Sequence, residues 1–111
     1  MKLIICGFTD YNKLDKIMQK LIEDSQCFIF TILCGGIKQE GTSRVPSLAE
    51  EWARRNGAPV EYVWHTDPEV LLFKLSKQAT YIVYDRSNAT NWHARLLMKI
   101  KAEGGHGTVV N

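Results

Sequence analysis

Gly35 and Gly36, followed by Gly41, Thr42, Ser43 and Arg44, form the segment of this chain whose residue types are best suited to gripping a ligand. Glycines let a ligand approach the backbone closely, hydroxyls donate hydrogen bonds, and a guanidinium holds an anion through paired N–H groups. That combination is phosphate-binding chemistry. Just upstream, Cys27-Phe28-Ile29-Phe30-Thr31-Ile32-Leu33-Cys34 is apolar without alternation, the pattern of a strand buried on both faces. Just downstream, Ser47-Leu48-Ala49-Glu50 has the form of a capping box, in which Ser47 and Glu50 satisfy the N–H groups of a first helical turn. A strand, a glycine-rich connection and a helix start place an anion at the positive end of the helix. The plain alternative is a flexible connection, although long connections in compact domains tend to be either functional or disordered.

Other loops offer a mixed set of groups. Gly7-Phe8-Thr9-Asp10-Tyr11 follows an opening apolar run, His65-Thr66-Asp67 follows a third, and Asp85-Arg86-Ser87-Asn88-Ala89-Thr90 a fourth. Gly7, Thr9, Asp10, Asp85, Ser87, Asn88 and Thr90 join the glycine-rich segment as candidate ligand contacts. Asp10 can accept a ribose hydroxyl or simply cap a helix, and Asp67 reads mainly as a cap. His65, an imidazole at a strand end, is a weak acid–base candidate beside Glu50 and Glu51. Phe8, Tyr11 and Trp92 can stack on a base, but Trp92 at helical spacing is equally a core residue. His93 and Arg95 read as a solvated helix face.

The elements that position these groups are legible from periodicity. Residues 2–6 form a strand. Leu14, Ile17, Met18, Leu21 and Ile22 fall on one stripe of a helix over about 11–24, opposite Lys13, Lys16, Lys20, Glu23 and Asp24. The helix from Ser47 packs through Leu48, Ala49, Trp52 and Ala53 and stops near Asn56, where Gly57 and Pro59 end it. Val60-Glu61-Tyr62-Val63-Trp64 alternates, as a strand near an exposed edge does. Asp67 and Pro68 open a helix that runs to about Gln78. Thr80 to Tyr84 is another buried strand, Trp92, Leu96, Leu97 and Ile100 mark a last helix ending at Gly104-Gly105, and Gly107 to Val110 is a short fifth strand. Regular β–α alternation predicts a single Rossmann-like domain over residues 1–111, a three-layer α/β/α structure with a mainly parallel five-stranded sheet. Ligands of such sheets bind outside the carboxyl ends of the strands, where strand order reverses.

Composition narrows the partners. A chain of 111 residues with 45% hydrophobic content is one ordinary domain. A net charge of +2, with no basic block, does not indicate nucleic acid. The opening apolar run is too short for a signal peptide or a membrane span, so a cytoplasmic protein with no membrane partner is expected. Cys6, Cys27 and Cys34 show no metal-ligand spacing and read as buried thiols, with neither metal nor cofactor implied.

Ile5-Cys6-Gly7-Phe8-Thr9-Asp10-Tyr11, Cys34-Gly35-Gly36 and Leu48-Ala49-Glu50-Glu51-Trp52-Ala53, continued by Asn56 to Val60, together resemble the SLOG superfamily. More narrowly, the chain is similar to its small YspA- and YpsA-related proteins, many from phages and bacteria. The resemblance implies a Rossmann-like fold and a pocket for nucleotide-derived molecules, with a host cytoplasm as the setting if the chain is phage-encoded. Thr9 stands where that family has arginine, and residues 37–46 replace a short stretch that carries an aspartate. The glycosidic-bond hydrolases of the LOG branch use Gly-Gly-x-Gly-Thr-x-x-Glu, which is interrupted here, with Val45 in the glutamate's place. Three functions follow as expectations. The first is capture of a nucleotide-derived ligand, as sensor or sponge, without turnover. An N-glycosidic hydrolase using Glu50 or Glu51 with His65 is the second. The third is a degenerate domain binding a host protein through Tyr62, Trp64 and Trp92. A homodimer is compatible with each.

Overall fold

In the computed structural model, residues 1–25, 31–37, 47–88 and 90–110 are described. The chain runs β1 (Lys2–Cys6), α1 (Tyr11–Ser25), β2 (Thr31–Ile37), α2 (Leu48–Asn56), β3 (Val60–His65), α3 (Pro68–Gln78), β4 (Tyr81–Asp85), a 3-10 turn (Arg86–Asn88), α4 (Asn91–Ala102) and β5 (His106–Val110). The strands form one five-stranded sheet in the order β3-β2-β1-β4-β5, and every pairing is parallel. This is the expected Rossmann-like α/β architecture.

Local chemistry accounts for the element ends. Asp10 opens α1, its carboxylate accepting the Asn12 N–H at 2.9 Å. Ser47 Oγ accepts the Glu50 N–H at 3.3 Å, and Gly57 closes α2 in the left-handed conformation at φ 69°. Glu50 and Glu51 in its first turn and Arg54 and Arg55 in its last complement the helix dipole. Asp67 Oδ1 caps α3 by accepting the Glu69 N–H at 2.9 Å, with Pro68 in the first turn.

Both faces of the sheet are covered by helices. On one, α1 and α2 bury Leu14, Met18, Ala49, Trp52 and Ala53 against Leu3, Ile5, Ile32 and Val83. On the other, α3 and α4 bury Leu71, Leu72, Leu75, Leu96 and Ile100 against Ile4, Leu33, Val63 and Ile82. Gly107 lies directly beneath Leu97, so the absence of a side chain lets α4 approach β5. β3 lies at the sheet's edge, as its alternation suggests.

Some boundaries move. β2 continues to Ile37, because Gly35 and Gly36 pair with Val63 and Trp64 in the ladder with β3. The expected turn at the two glycines therefore starts later. Residues 26–30 at the start of the expected second strand lie outside the described residues. β4 runs through Asp85, which is buried, and β5 begins at His106.

Candidate functional site

The parallel sheet brings the ends of β1, β2 and β3 to one edge, together with the start of α2 and the first turn of α4. A cavity of about 410 Å³ opens there. Its floor is Ile4, Ile5, Cys6, Gly7, Leu33 and Cys34, and Leu75, Ser47, Glu50, Trp64, Trp92 and His93 complete its lining. That volume lies in the range of small-molecule sites, and so does a mostly apolar lining with a few polar groups.

Each polar lining residue is positioned by an identifiable contact. The Glu50 carboxylate accepts the Tyr62 hydroxyl at 3.0 Å, which ties α2 to β3. Trp64 stacks parallel to Tyr62 along β3, with ring centroids 6.0 Å apart. The Trp92 indole N–H donates to the Pro68 carbonyl at 3.3 Å, anchoring α4 to the start of α3. His93 Nδ1 accepts the Thr90 N–H at 3.2 Å, leaving Nε2 as the protonated nitrogen of a neutral ring. Burial holds the His93 pKa below its ordinary value. The ring also lies against Tyr84 and edge-on to Trp92, so His93 belongs to the cavity and not to a solvated face.

The cysteines flank the sheet instead of pairing. Cys6 packs with the α3/α4 core and Cys34 with the α1/α2 core, on opposite faces, so no disulfide joins them. Desolvation pushes the Cys6 thiol up to about 12, which removes it as a nucleophile at neutral pH. Cys27 lies outside the described residues.

Strand order reverses between β1 and β4, and the chain's own side chains close that crevice. Gly7 takes φ 80°, and a Cβ on it would lie 2.9 Å from the Asp85 carbonyl oxygen. Asp85 is buried and receives Lys13 Nζ at 2.7 Å on Oδ2, with Ser87 Oγ at 2.6 Å and Ser87 N at 3.1 Å on Oδ1. Cavity and crevice are therefore neighbours, and the open space lies over β1 and β2.

The Lys13 hydrogen bond, then that of the Ser87 hydroxyl, lowers the Asp85 pKa from an ordinary 3.8 to about 2. A depressed carboxyl pKa stabilises the folded state above the unfolded value, and that stabilisation fades as pH falls from 3.8 towards about 2. Urea unfolding followed across this window is expected to show the fall, and Asp85→Asn is expected to flatten it. An unchanged profile in Asp85→Asn would show that the ion pair does not couple to folding.

The sequence candidates thus divide. Gly7 and Glu50 line the cavity. Asp10 and Asp67 are caps, and His65 Nδ1 accepts the Asp67 N–H at 2.9 Å in the turn after β3. Glu51 pairs with Arg55 at 2.6 Å along α2, and Arg95 makes a fork with Glu69 at 2.7 and 2.6 Å. Asp85 and Ser87 satisfy one another, while Thr9, Asn88 and Thr90 are exposed, Asn88 in the 3-10 turn and Thr90 at the start of α4. Gly41, Thr42, Ser43 and Arg44 lie outside the described residues. Sequence reasoning did not assign Ser47, Cys6, Cys34 or His93 to the pocket. Their only shared signal is their place at a strand end or in a helix's first turn.

No family model, curated protein or solved structure matches the chain. The site is therefore read from its own geometry. Among the described residues, no group of three or more His, Cys, Asp or Glu side chains is arranged to hold a metal, and no helix is long and apolar enough to cross a membrane.

Proposed function

We propose that the chain captures a nucleotide or nucleotide-derived molecule at the carboxyl edge of its sheet, as a sensor or sponge and without turnover. The cavity's position and lining carry this reading. Trp64 and Trp92 supply aromatic surface for a base, Glu50 and Ser47 are acceptors for ribose hydroxyls, and the His93 Nε2–H is a donor. None of the described lining residues is cationic, so phosphate falls to the segment carrying Gly41, Thr42, Ser43 and Arg44. The resemblance to SLOG proteins points the same way.

A thermal-shift screen against mononucleotides, dinucleotides, cyclic dinucleotides and ADP-ribose tests the proposal. A ligand at a hundredfold excess over its Kd adds about 2.7 kcal/mol of stability, a rise of roughly 10 °C in a domain of this size. Arg44→Ala is expected to abolish the rise, and Trp64→Ala to reduce it. The absence of a shift with every compound would overturn the proposal and favour a protein partner at the exposed Tyr62 and Trp64.

Glu50 supports a second reading, since it is the one acid–base candidate from the sequence that lines the cavity. In that reading the chain cleaves an N-glycosidic bond. Free base released from a nucleoside monophosphate by the native chain, and not by Glu50→Gln, would establish it in place of simple capture.

A further inference from the structure

The helix that walls one side of the cavity is capped by a titratable ring. His93 is the third residue of α4 and stands where glutamate or glutamine completes a capping box, its Nδ1 accepting the N–H of the cap residue Thr90 at 3.2 Å. A side-chain oxygen in that place accepts a hydrogen bond throughout the neutral range. An imidazole nitrogen accepts one only while the ring is neutral, because the imidazolium carries a proton on both nitrogens.

Three further features set this ring against a positive charge. The Tyr84 ring is stacked on it with centroids 6.4 Å apart and Trp92 lies edge-on at 5.8 Å, so the charged form gives up solvation. It stands at the amino end of a helix, where the dipole already presents partial positive charge, and the first turn of α4 contains no acidic residue. The groups facing it are the Tyr84 phenol from β4, the Cys6 and Cys34 thiols from β1 and β2, and across the cavity the Glu50 carboxylate from α2, which accepts the Tyr62 hydroxyl. Glu69 of α3 is held by Arg95, and Asp85 of β4 by Lys13. Among the described residues, no carboxylate pairs with His93.

We infer that His93 is an acid-sensitive latch on the wall of the cavity. Its protonation takes away the acceptor of the Thr90 N–H and puts a charge at the unfavourable end of α4. The first turn of the helix then loosens, and Trp92, the neighbouring lining residue, moves with it. Leu96 and Ile100 remain buried against the sheet, so the rest of α4 keeps its place. The latch is a property of the chain without ligand and stands whether or not the cavity takes a nucleotide.

Burial fixes the sign. The His93 pKa lies below its ordinary 6.5, so the neutral ring stabilises the fold above that value and the contribution is lost as pH falls through the folded pKa. Asp85 acts in a separate, more acid window, between 3.8 and about 2.

NMR of the histidine rings and backbone amides of the full chain, from about pH 8 to about pH 5, tests this. At the upper end the His93 ring is expected to carry its proton on Nε2. On acidification its signals and the Thr90 amide are expected to shift together, with one midpoint below 6.5. His93→Gln keeps an acceptor at the same helix position and removes the titration. Over the same range the native chain is expected to lose about 4 °C more in melting temperature than His93→Gln, the usual effect of one helix cap in a domain of this size. His65 and His106 are present in both chains and cancel in the difference. A proton on Nδ1 at neutral pH, a Thr90 amide indifferent to the His93 titration, or equal losses of melting temperature in the two chains would overturn the inference.

Discussion

Trp52→Ala is expected to remove about 3–5 kcal/mol of stability, the usual loss for truncating a fully buried aromatic side chain. Trp52 is 1% exposed and seats α2 on the sheet, within the cluster that holds Leu3, Ile5, Leu14 and Ile32. Its indole N–H also donates to Asp15 Oδ1 at 3.0 Å, joining α2 to α1. Domains of this size have about 5–15 kcal/mol in all, so the variant should be close to unfolding at ambient temperature. Trp52→Phe retains most of the apolar burial and loses the hydrogen bond, for about 1–2 kcal/mol. Urea unfolding of the two variants separates packing from hydrogen bonding. A loss below about 1 kcal/mol for Trp52→Ala would mean that α2 is not anchored through this residue. Because Ser47 and Glu50 reach the cavity from the same helix, the destabilised variant should also lose any ligand-induced thermal shift.

The second large effect is expected at Gly7. Alanine there must adopt φ near 80° and place a Cβ 2.9 Å from a backbone oxygen that cannot move without disturbing β4. The left-handed conformation costs roughly 1–2 kcal/mol, and the contact brings the total to about 2–4 kcal/mol. Gly57 is the internal control. It has φ 69° with nothing within 4 Å of the added atom, so Gly57→Ala should show only the conformational part, about 1 kcal/mol. Equal losses in the two variants, measured by urea unfolding, would rule out the close approach of β1 and β4 as the cause at Gly7.

Much of the fold is visible in the chain itself. The stripe of Leu14, Ile17, Met18, Leu21 and Ile22 specifies α1, and Asp67-Pro68 and Gly57 mark helix ends where the structure has them. These signals are local: a helical face or a cap is decided by residues within a turn or so of one another. The two glycines after Cys34 misplace the end of β2 because a glycine pair has the composition of a turn. Pairing with Val63 and Trp64 keeps them extended, and those partners lie on a different element.

The site is less legible for the same reason. Lys13 reads as one of several solvated lysines on α1, yet it neutralises Asp85, a residue 72 positions away. That pairing exists because β4 is laid beside β1, a choice made by crossover connections and by burial of both sheet faces. Likewise Asp85 and Ser87 have the chemistry of ligand contacts, and tertiary placement turns them towards each other. His93 enters the cavity because α4 starts beside the end of the sheet, with Tyr84 against its ring.

By itself, then, the sequence determined the alternation of strands and helices, the three-layer class and the helix caps, since hydrophobic period and capping act over a few residues. Tertiary structure alone decided the strand order, the crevice closed by Lys13, Asp85 and Gly7, and the separation of Cys6 from Cys34. Those features arise from contacts between distant segments, whose energies depend on which strands become neighbours and which faces find a covering helix.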